Sequence, residues 1–329
     1  MTAEETILKL QTELRNIIKG RDDTIDLVLT GLFADGHVLL EDYPGSGKTT
    51  LAKTLGNLIN CPENNSAEVT LSPFRRVQFT PDLLPTDILG ITTYEEGKGF
   101  YTVKGPIFAN FVLADEINRS PPKVQSALLE GMQERQVTIG KETFKLPNPF
   151  IVMATQNPLE QLGTYKLPEA QVDRFLYKLI VTYPTTEEEI KIINTNITTR
   201  KFEDFNIMPI LSPTDIMDAQ ELVKKLYCDE KIQQYIIRIV DATRNYKKYN
   251  IEKGKFIEYG ASPRSSISLF ISAKAHAILK GRSYVTQQDV KDIAAKVLRH
   301  RILINFEGEA ENIISDNIIT EILNKVPIL

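Results

Sequence analysis

The densest chemistry in the chain lies in Val38-Leu39-Leu40-Glu41-Asp42-Tyr43-Pro44-Gly45-Ser46-Gly47-Lys48-Thr49-Thr50. An apolar run ends in a loop of small residues, and Gly-Lys-Thr then opens a helical pattern over Thr50–Asn57. A strand, a glycine-bearing loop and a helix in that order form the setting of a phosphate-cradling P-loop. Gly45 and Gly47 let backbone N–H groups turn inward on phosphate oxygens, with Tyr43, Pro44, Ser46 and Thr50 beside them. Lys48 supplies a point charge for the outer phosphates, and the Thr49 hydroxyl is a candidate Mg²⁺ ligand. Asp42 stands where such a loop usually starts with glycine. Asp tolerates unusual backbone angles better than most residues. Its carboxylate would weaken phosphate binding unless it faces away, and we expect it to face away.

A second apolar run, Phe111-Val112-Leu113-Ala114, ends in Asp115-Glu116. Alone, that pattern is most often structural. Downstream of a P-loop it fits a pair in which Asp115 holds Mg²⁺ through water and Glu116 orients the attacking water. A third run, Phe150-Ile151-Val152-Met153-Ala154-Thr155, delivers Gln156 and Asn157 at its end. Ligands of open α/β sheets sit at the carboxyl ends of strands, so Asn157 is a candidate contact for the attacking water or a γ-phosphate oxygen. An isolated Asn157-Pro158 would otherwise read as a turn. The chain lacks a guanine-reading Asn-Lys-x-Asp, and the acidic pair favours water as nucleophile. Together these segments predict ATP and Mg²⁺ as cofactors.

These residues need a scaffold. Short apolar runs at His37–Leu40, Arg76–Thr80, Phe111–Ala114, Phe150–Thr155 and Lys178–Thr182 alternate with helical patterns, which predicts a parallel sheet covered on both faces. The helix after Ser120 is expected to be capped by that serine, with Val124, Leu128 and Met132 on one face. Gly90–Pro106 and Gln136–Leu146 read as β-hairpins turning at Glu96-Gly97-Lys98-Gly99 and Gly140-Lys141. Beyond Pro184 the pattern is helical, with starts at Ser262-Pro263 and at Thr286-x-x-Asp289. The division expected is an α/β core over 1–184 and an all-helical domain over 185–329. In 329 residues, 39 Lys and Arg stand against 43 Asp and Glu, a net charge of −4. That balance speaks against a free-standing nucleic-acid binder. Cys61 and Cys228 are far apart without metal-ligand spacing, which suits a reducing compartment. The acidic, amphipathic N-terminus and the lack of a stretch of roughly 20 apolar residues make a cytoplasmic protein without a membrane span the expectation.

With these residues in hand, the sequence resembles MoxR-family AAA+ ATPases. The resemblance rests on Tyr43–Thr49, on Leu113-Ala114-Asp115-Glu116-Ile117-Asn118-Arg119-Ser120-Pro121-Pro122-Lys123, on Gln125–Gln136 and on Ala154–Pro158. It extends through Leu167-Pro168-Glu169-Ala170-Gln171-Val172-Asp173-Arg174-Phe175 and Gly260-Ala261-Ser262-Pro263-Arg264. It implies a three-layer αβα core with a five-stranded parallel sheet and an all-α lid, with ATP between them near Asn16–Gly20, where Ile17 and Ile18 would pack on adenine. It implies that Arg174 is an arginine finger for a neighbouring subunit, with Arg119 as runner-up, and that Arg264 is the sensor-2 arginine. The alternatives are an Asp173–Arg174 surface pair and a solvated Arg264. It also implies a homo-oligomer, most simply a hexameric ring, acting as a chaperone-like remodeler. A von Willebrand factor A domain partner would be separate, since the chain has no room for one. The hairpins would face pore or partner, with Tyr94, Phe100 and Tyr101 either as contacts or packed on their own domain. Rival functions are a nucleic-acid motor, for which Lys98, Lys104, Lys141 and Lys145 against Glu95, Glu96 and Glu142 make a poor basic tip, and a low-turnover nucleotide-binding scaffold.

Overall fold

The computed structural model describes residues 2–42, 48–59, 65–66, 69–70, 72–97, 99–157, 164–181, 185–187, 189–190 and 207–328. The expectations for Tyr43, Pro44, Gly45, Ser46, Gly47 and Lys98, and for the direction of the Asp42 side chain, lie outside the described residues.

Five strands form one parallel sheet: β1 (Val38–Asp42), β2 (Ser72–Gln78), β5 (Ala109–Asp115), β8 (Ile151–Gln156) and β9 (Tyr177–Val181), in spatial order β9-β1-β8-β5-β2. Alternate side chains leave each strand on opposite faces. Val38, Leu40, Leu113, Met153 and Leu179 enter one core together with α1 (Ala3–Ile17), α2 (Asp22–Phe33) and α3 (Lys48–Leu58). Leu39, Val112, Ala114, Val152 and Ala154 enter a second core with Val124, Leu128 and Met132 of α5 (Pro122–Glu134), which follows the short α4 (Pro85–Leu89). The parallel sheet covered on both faces, expected from the apolar runs, and the αβα layering that the resemblance implies are both present.

The hairpins pair as β3 (Gly90–Glu95) with β4 (Gly99–Lys104), and β6 (Gln136–Ile139) with β7 (Glu142–Lys145). Ser120 does not cap α5. Its hydroxyl donates to the Ile117 carbonyl, and Pro121 occupies the cap position instead, with Pro122 at the first helical residue, where a missing N–H costs nothing.

After a short α6 (Glu169–Val172), the C-terminal part is built from α7 (Pro213–Lys225), α8 (Glu230–Arg244), α9 (Pro263–Leu279), α10 (Gln287–Leu298), α11 (Phe306–Ala310) and α12 (Ser315–Lys325). It is not purely helical: β10 (Ile257–Tyr259) pairs antiparallel with β11 (Leu303–Ile304). Two such short strands carry too little pattern to be read beside long helices. The capping box at Thr286 and Asp289 forms as expected. Helices α1 and α2 bind this helical part to the sheet. Buried Asp26 accepts from Gln11 and Arg15 and faces Lys280 at 3.6 Å, and Gln220 donates to the Leu32 carbonyl at 2.9 Å.

Candidate active site

A parallel sheet has two unlike edges, because all its strands point the same way. Lys48, Asp115, Glu116 and Asn157 follow or end β1, β5 and β8, so they gather at the carboxyl edge. Lys48 opens α3, and its ammonium lies 3.5 Å from Asp115 Oδ1. Thr49 and Thr50 occupy the first turn of α3 and are half-buried. Asp115 is buried at 3% exposure. Thr155 Oγ1 donates to its Oδ1 at 2.7 Å, and Arg76 Nη2 and Nε donate to its Oδ2 at 2.6 and 3.1 Å. Burial alone would raise the Asp115 pKa. The Thr155 and Arg76 hydrogen bonds and the Lys48 charge outweigh it, so the carboxyl is held below its ordinary value as an anion. A hydroxyl and an ionised carboxylate are hard oxygen donors, which suit Mg²⁺ better than a softer metal. Among the described residues no group of three His, Cys, Asp or Glu gathers as an alternative metal centre.

Glu116 sits in the left-handed backbone region, at φ 57° and ψ 50°. Non-glycine residues there carry strain that clusters at functional sites. Its backbone N–H donates to Thr155 Oγ1 at 2.8 Å, so one hydroxyl orders both acids. Its Oε2 accepts from Gln78 Nε2 at 2.8 Å and from Arg119 Nη1 at 3.1 Å. Asn157 is buried directly beyond β8. Ile17 and Ile18 are half-buried at the end of α1, against the core that α1, α2 and α3 share. Three polar partners went unread in the sequence: Thr155, Arg76 and Gln78. A threonine inside an otherwise apolar run was the available signal for the first. The other two depend on strand register, since Gln78 pairs with Asp115 only in three dimensions.

Arg174 and Arg264 are elsewhere. Asp173 to Leu176 lead into the amino end of β9, and the Leu176 N–H donates to the His37 carbonyl just before β1. Both arginines line a cavity of about 240 Å³ at this amino edge, together with Asp35, Arg135 and Arg301. β1 alone spans roughly 13 Å at the usual strand rise, so this cavity and Lys48 lie at opposite edges of the sheet. Arg174 does not pair with Asp173. Its Nη1 donates to the Leu129 carbonyl at 2.9 Å. Asp173 instead takes Arg301 Nε at 2.7 Å, the Ser262 hydroxyl at 3.3 Å and Arg264 Nη1 at 3.5 Å. Arg264 is half-exposed, so it is neither buried nor freely solvated.

A larger groove of about 650 Å³ lies between the hairpins, lined by residues including Phe100, Tyr101, Lys104 and Phe144. Its lining includes none of the acids or the lysine of the sheet edge, which carry the chemistry. Tyr94 and Phe100 are exposed at 63% and 81% and touch edge-to-face at 5.2 Å, so they are not packed onto their own domain. Lys104 lies over the Phe108 and Phe144 rings, which ties one basic residue of the hairpins to the protein itself.

Comparison with known proteins follows the same lines. A family profile described as "ATPase family associated with various cellular activities (AAA)" matches residues 37–177, and one for the AAA lid domain matches residues 253–322. The chain is 43% identical to Chaperone MoxR1 of Mycobacterium tuberculosis over 95% of its own length and 80% of that protein's. It is 28% identical to Protein MoxR of Paracoccus denitrificans over 90% and 88%. A crystal structure of a candidate ATPase from Cytophaga hutchinsonii superposes with a TM-score of 0.89 at 43% identity, covering 99% of this chain and 96% of that one. No helix among the described residues is long and apolar enough to cross a membrane.

Proposed function

The chain belongs to the MoxR family of AAA+ ATPases, and from that premise we propose that it is a chaperone-like remodeler whose ATP sites are shared between subunits. It is an ATPase. In this proposal the 43–47 loop, Lys48 and Thr50 hold the phosphates, and Ile18 packs near the base. Thr49 and Asp115 would hold Mg²⁺, which when bound would neutralise charge on the phosphates. Glu116 polarises and aligns the attacking water, and Asn157 fixes that water or a γ-phosphate oxygen. Arg174 and Arg264 act on the nucleotide of the neighbouring subunit.

One observation carries the shared-site proposal: Lys48, Asp115 and Glu116 lie at the carboxyl edge of the sheet, and Arg174 and Arg264 lie together at the amino edge. Two cations at the sheet edge opposite Lys48 can serve phosphate only across an interface. This supports a ring, for which we propose six subunits. The division into a core over 1–184 and a lid over 185–329 would let hydrolysis in one subunit move the next. We further propose that the protein works in the cytoplasm on protein clients, with a separate von Willebrand factor A domain partner.

The test mixes two inactive proteins. Glu116→Gln should bind ATP without turnover while keeping its arginines. Arg174→Ala should keep Glu116 but lose charge stabilisation in the transition state. Mixing them should recover part of the ATPase, because some interfaces then pair Glu116 of one chain with Arg174 of another. Co-assembly without recovery would reject the shared site.

A further inference from the structure

Among the described residues Asp115 faces two cations, and of these Lys48 belongs to the P-loop motif. The other, Arg76, comes from β2, the strand at one end of the sheet order. Its guanidinium makes two hydrogen bonds to one carboxylate oxygen, Nη2 at 2.6 Å and Nε at 3.1 Å. The same Nη2 donates to Gln78 Oε1 at 2.7 Å. The far end of that amide, Gln78 Nε2, donates to Glu116 Oε2 at 2.8 Å. Four side chains thus form one row: Asp115, Arg76, Gln78 and Glu116. An amide has one accepting end and one donating end. With Arg76 on its oxygen, its NH₂ is turned toward Glu116.

We propose that Arg76 is an internal counterion for Asp115 that trades places with Mg²⁺, and that through Gln78 it couples metal loading to the freedom of Glu116. The proposal rests on Asp115 being the metal-side carboxylate. Arg76 has a side chain 47% exposed, so it can swing into solvent, whereas Asp115 is buried and fixed by Thr155. While Arg76 stays, Oδ2 is neutralised and the Gln78 amide holds Glu116 aside from a water. When Arg76 leaves, Gln78 loses the contact that sets its orientation, and Glu116 is freed from the amide and keeps only the Arg119 contact at its Oε2 among those described. Metal and catalytic carboxylate are then ready together, which protects against turnover at a half-assembled site. Arg76 and Gln78 are positioning residues, acting through Asp115 and Glu116.

The test reads binding rather than turnover. For the full chain, a fluorescent non-hydrolysable ATP analogue is titrated in EDTA and in Mg²⁺, and the dissociation constant in EDTA divided by that in Mg²⁺ measures the metal's contribution. Arg76→Gln should raise that ratio about tenfold, because the metal no longer competes with a tethered cation. Gln78→Ala, one step from Arg76, and Glu116→Ala, two steps away, each loosen it and should raise the ratio about threefold. In an Arg76→Gln background neither should move it further, since coupled residues are non-additive. Arg76→Lys, which keeps a charge but not the forked contact, should fall between parent and Arg76→Gln. An unchanged or lowered ratio in Arg76→Gln overturns the counterion. Full additivity of Arg76→Gln and Gln78→Ala overturns the coupling. Asp115→Asn separates the premise: if it leaves the ratio untouched, the metal assignment itself fails, and if it lowers the ratio while Arg76→Gln does nothing, only the present proposal fails.

Discussion

Thr155 gives one hydrogen bond to Asp115 Oδ1 and receives one from the Glu116 backbone, which sits in a conformation that L-residues avoid. The left-handed region costs a non-glycine residue roughly 1–2 kcal/mol, so Glu116 stays there only because its neighbours hold it. Thr155→Val keeps the shape and removes both bonds, leaving a buried carboxylate oxygen and a backbone N–H short of a partner. We expect a loss of about 1–3 kcal/mol in denaturant unfolding and a fall in ATPase turnover well beyond the change in nucleotide affinity. Thr155→Ser, which restores the hydroxyl, should recover most of both. A valine protein with parental turnover would remove Thr155 from any catalytic role.

At the scale of elements, His37 shows how the sheet is joined to its covering helix. Its Nδ1 accepts from the Val152 N–H at 3.0 Å, so its Nε2 carries the proton and donates to the Met132 carbonyl at 3.1 Å, joining β1's lead-in, β8 and α5. Burial, aided by the nearby Arg135 charge and opposed by the Met132 bond, lowers its pKa to about 3. Burial and the Arg301 charge likewise push His300 well below its ordinary value, against its bond to the Phe175 carbonyl. The folded state therefore excludes protons that the unfolded chain takes up below about pH 6.5. This stability is complete above that pH and is lost as pH falls toward the folded values, by about 1.4 kcal/mol per pH unit for each histidine. Urea midpoints from pH 7 to 5 should fall accordingly, and His37→Gln should flatten the slope. An unaltered slope would place the protons elsewhere. What was legible follows the same division between local and long-range order. The sheet strands and both hairpins could be read because each is a local pattern: an apolar run, or alternation around glycine. Lys48 and Asp115 could be read as neighbours because each ends such a run. Arg76 and Gln78 could not, because their meaning depends on β2 lying beside β5. Nor could the company of Arg264, whose partner Asp173 is 91 residues earlier.

For the whole molecule, Asp173 is the joint. It receives Arg301, buried at 7%, along with Ser262 and Arg264, all from the C-terminal part, while its own backbone leads into the sheet. The Arg301 guanidinium also donates to the carbonyls of Phe175 and Val297, so its hydrogen bonds are met, but among the described residues its charge has only this carboxylate. Asp173→Ala should cost about 3–5 kcal/mol, the usual effect of stranding a buried cation, and should spare the double variant with Arg301→Met much of that loss. Chemical unfolding of the two proteins decides it. The two unlike edges of the sheet have a further consequence under the roles proposed above. Such subunits are directional, and they associate head to tail rather than face to face. In an open row one end always presents an unserved site and the other an idle pair of arginines, whatever its length. Only closure removes both ends. A chain damaged at Arg174 would keep its own site whole and silence its neighbour's, so injury in a mixed assembly would be read one place along from where it occurred.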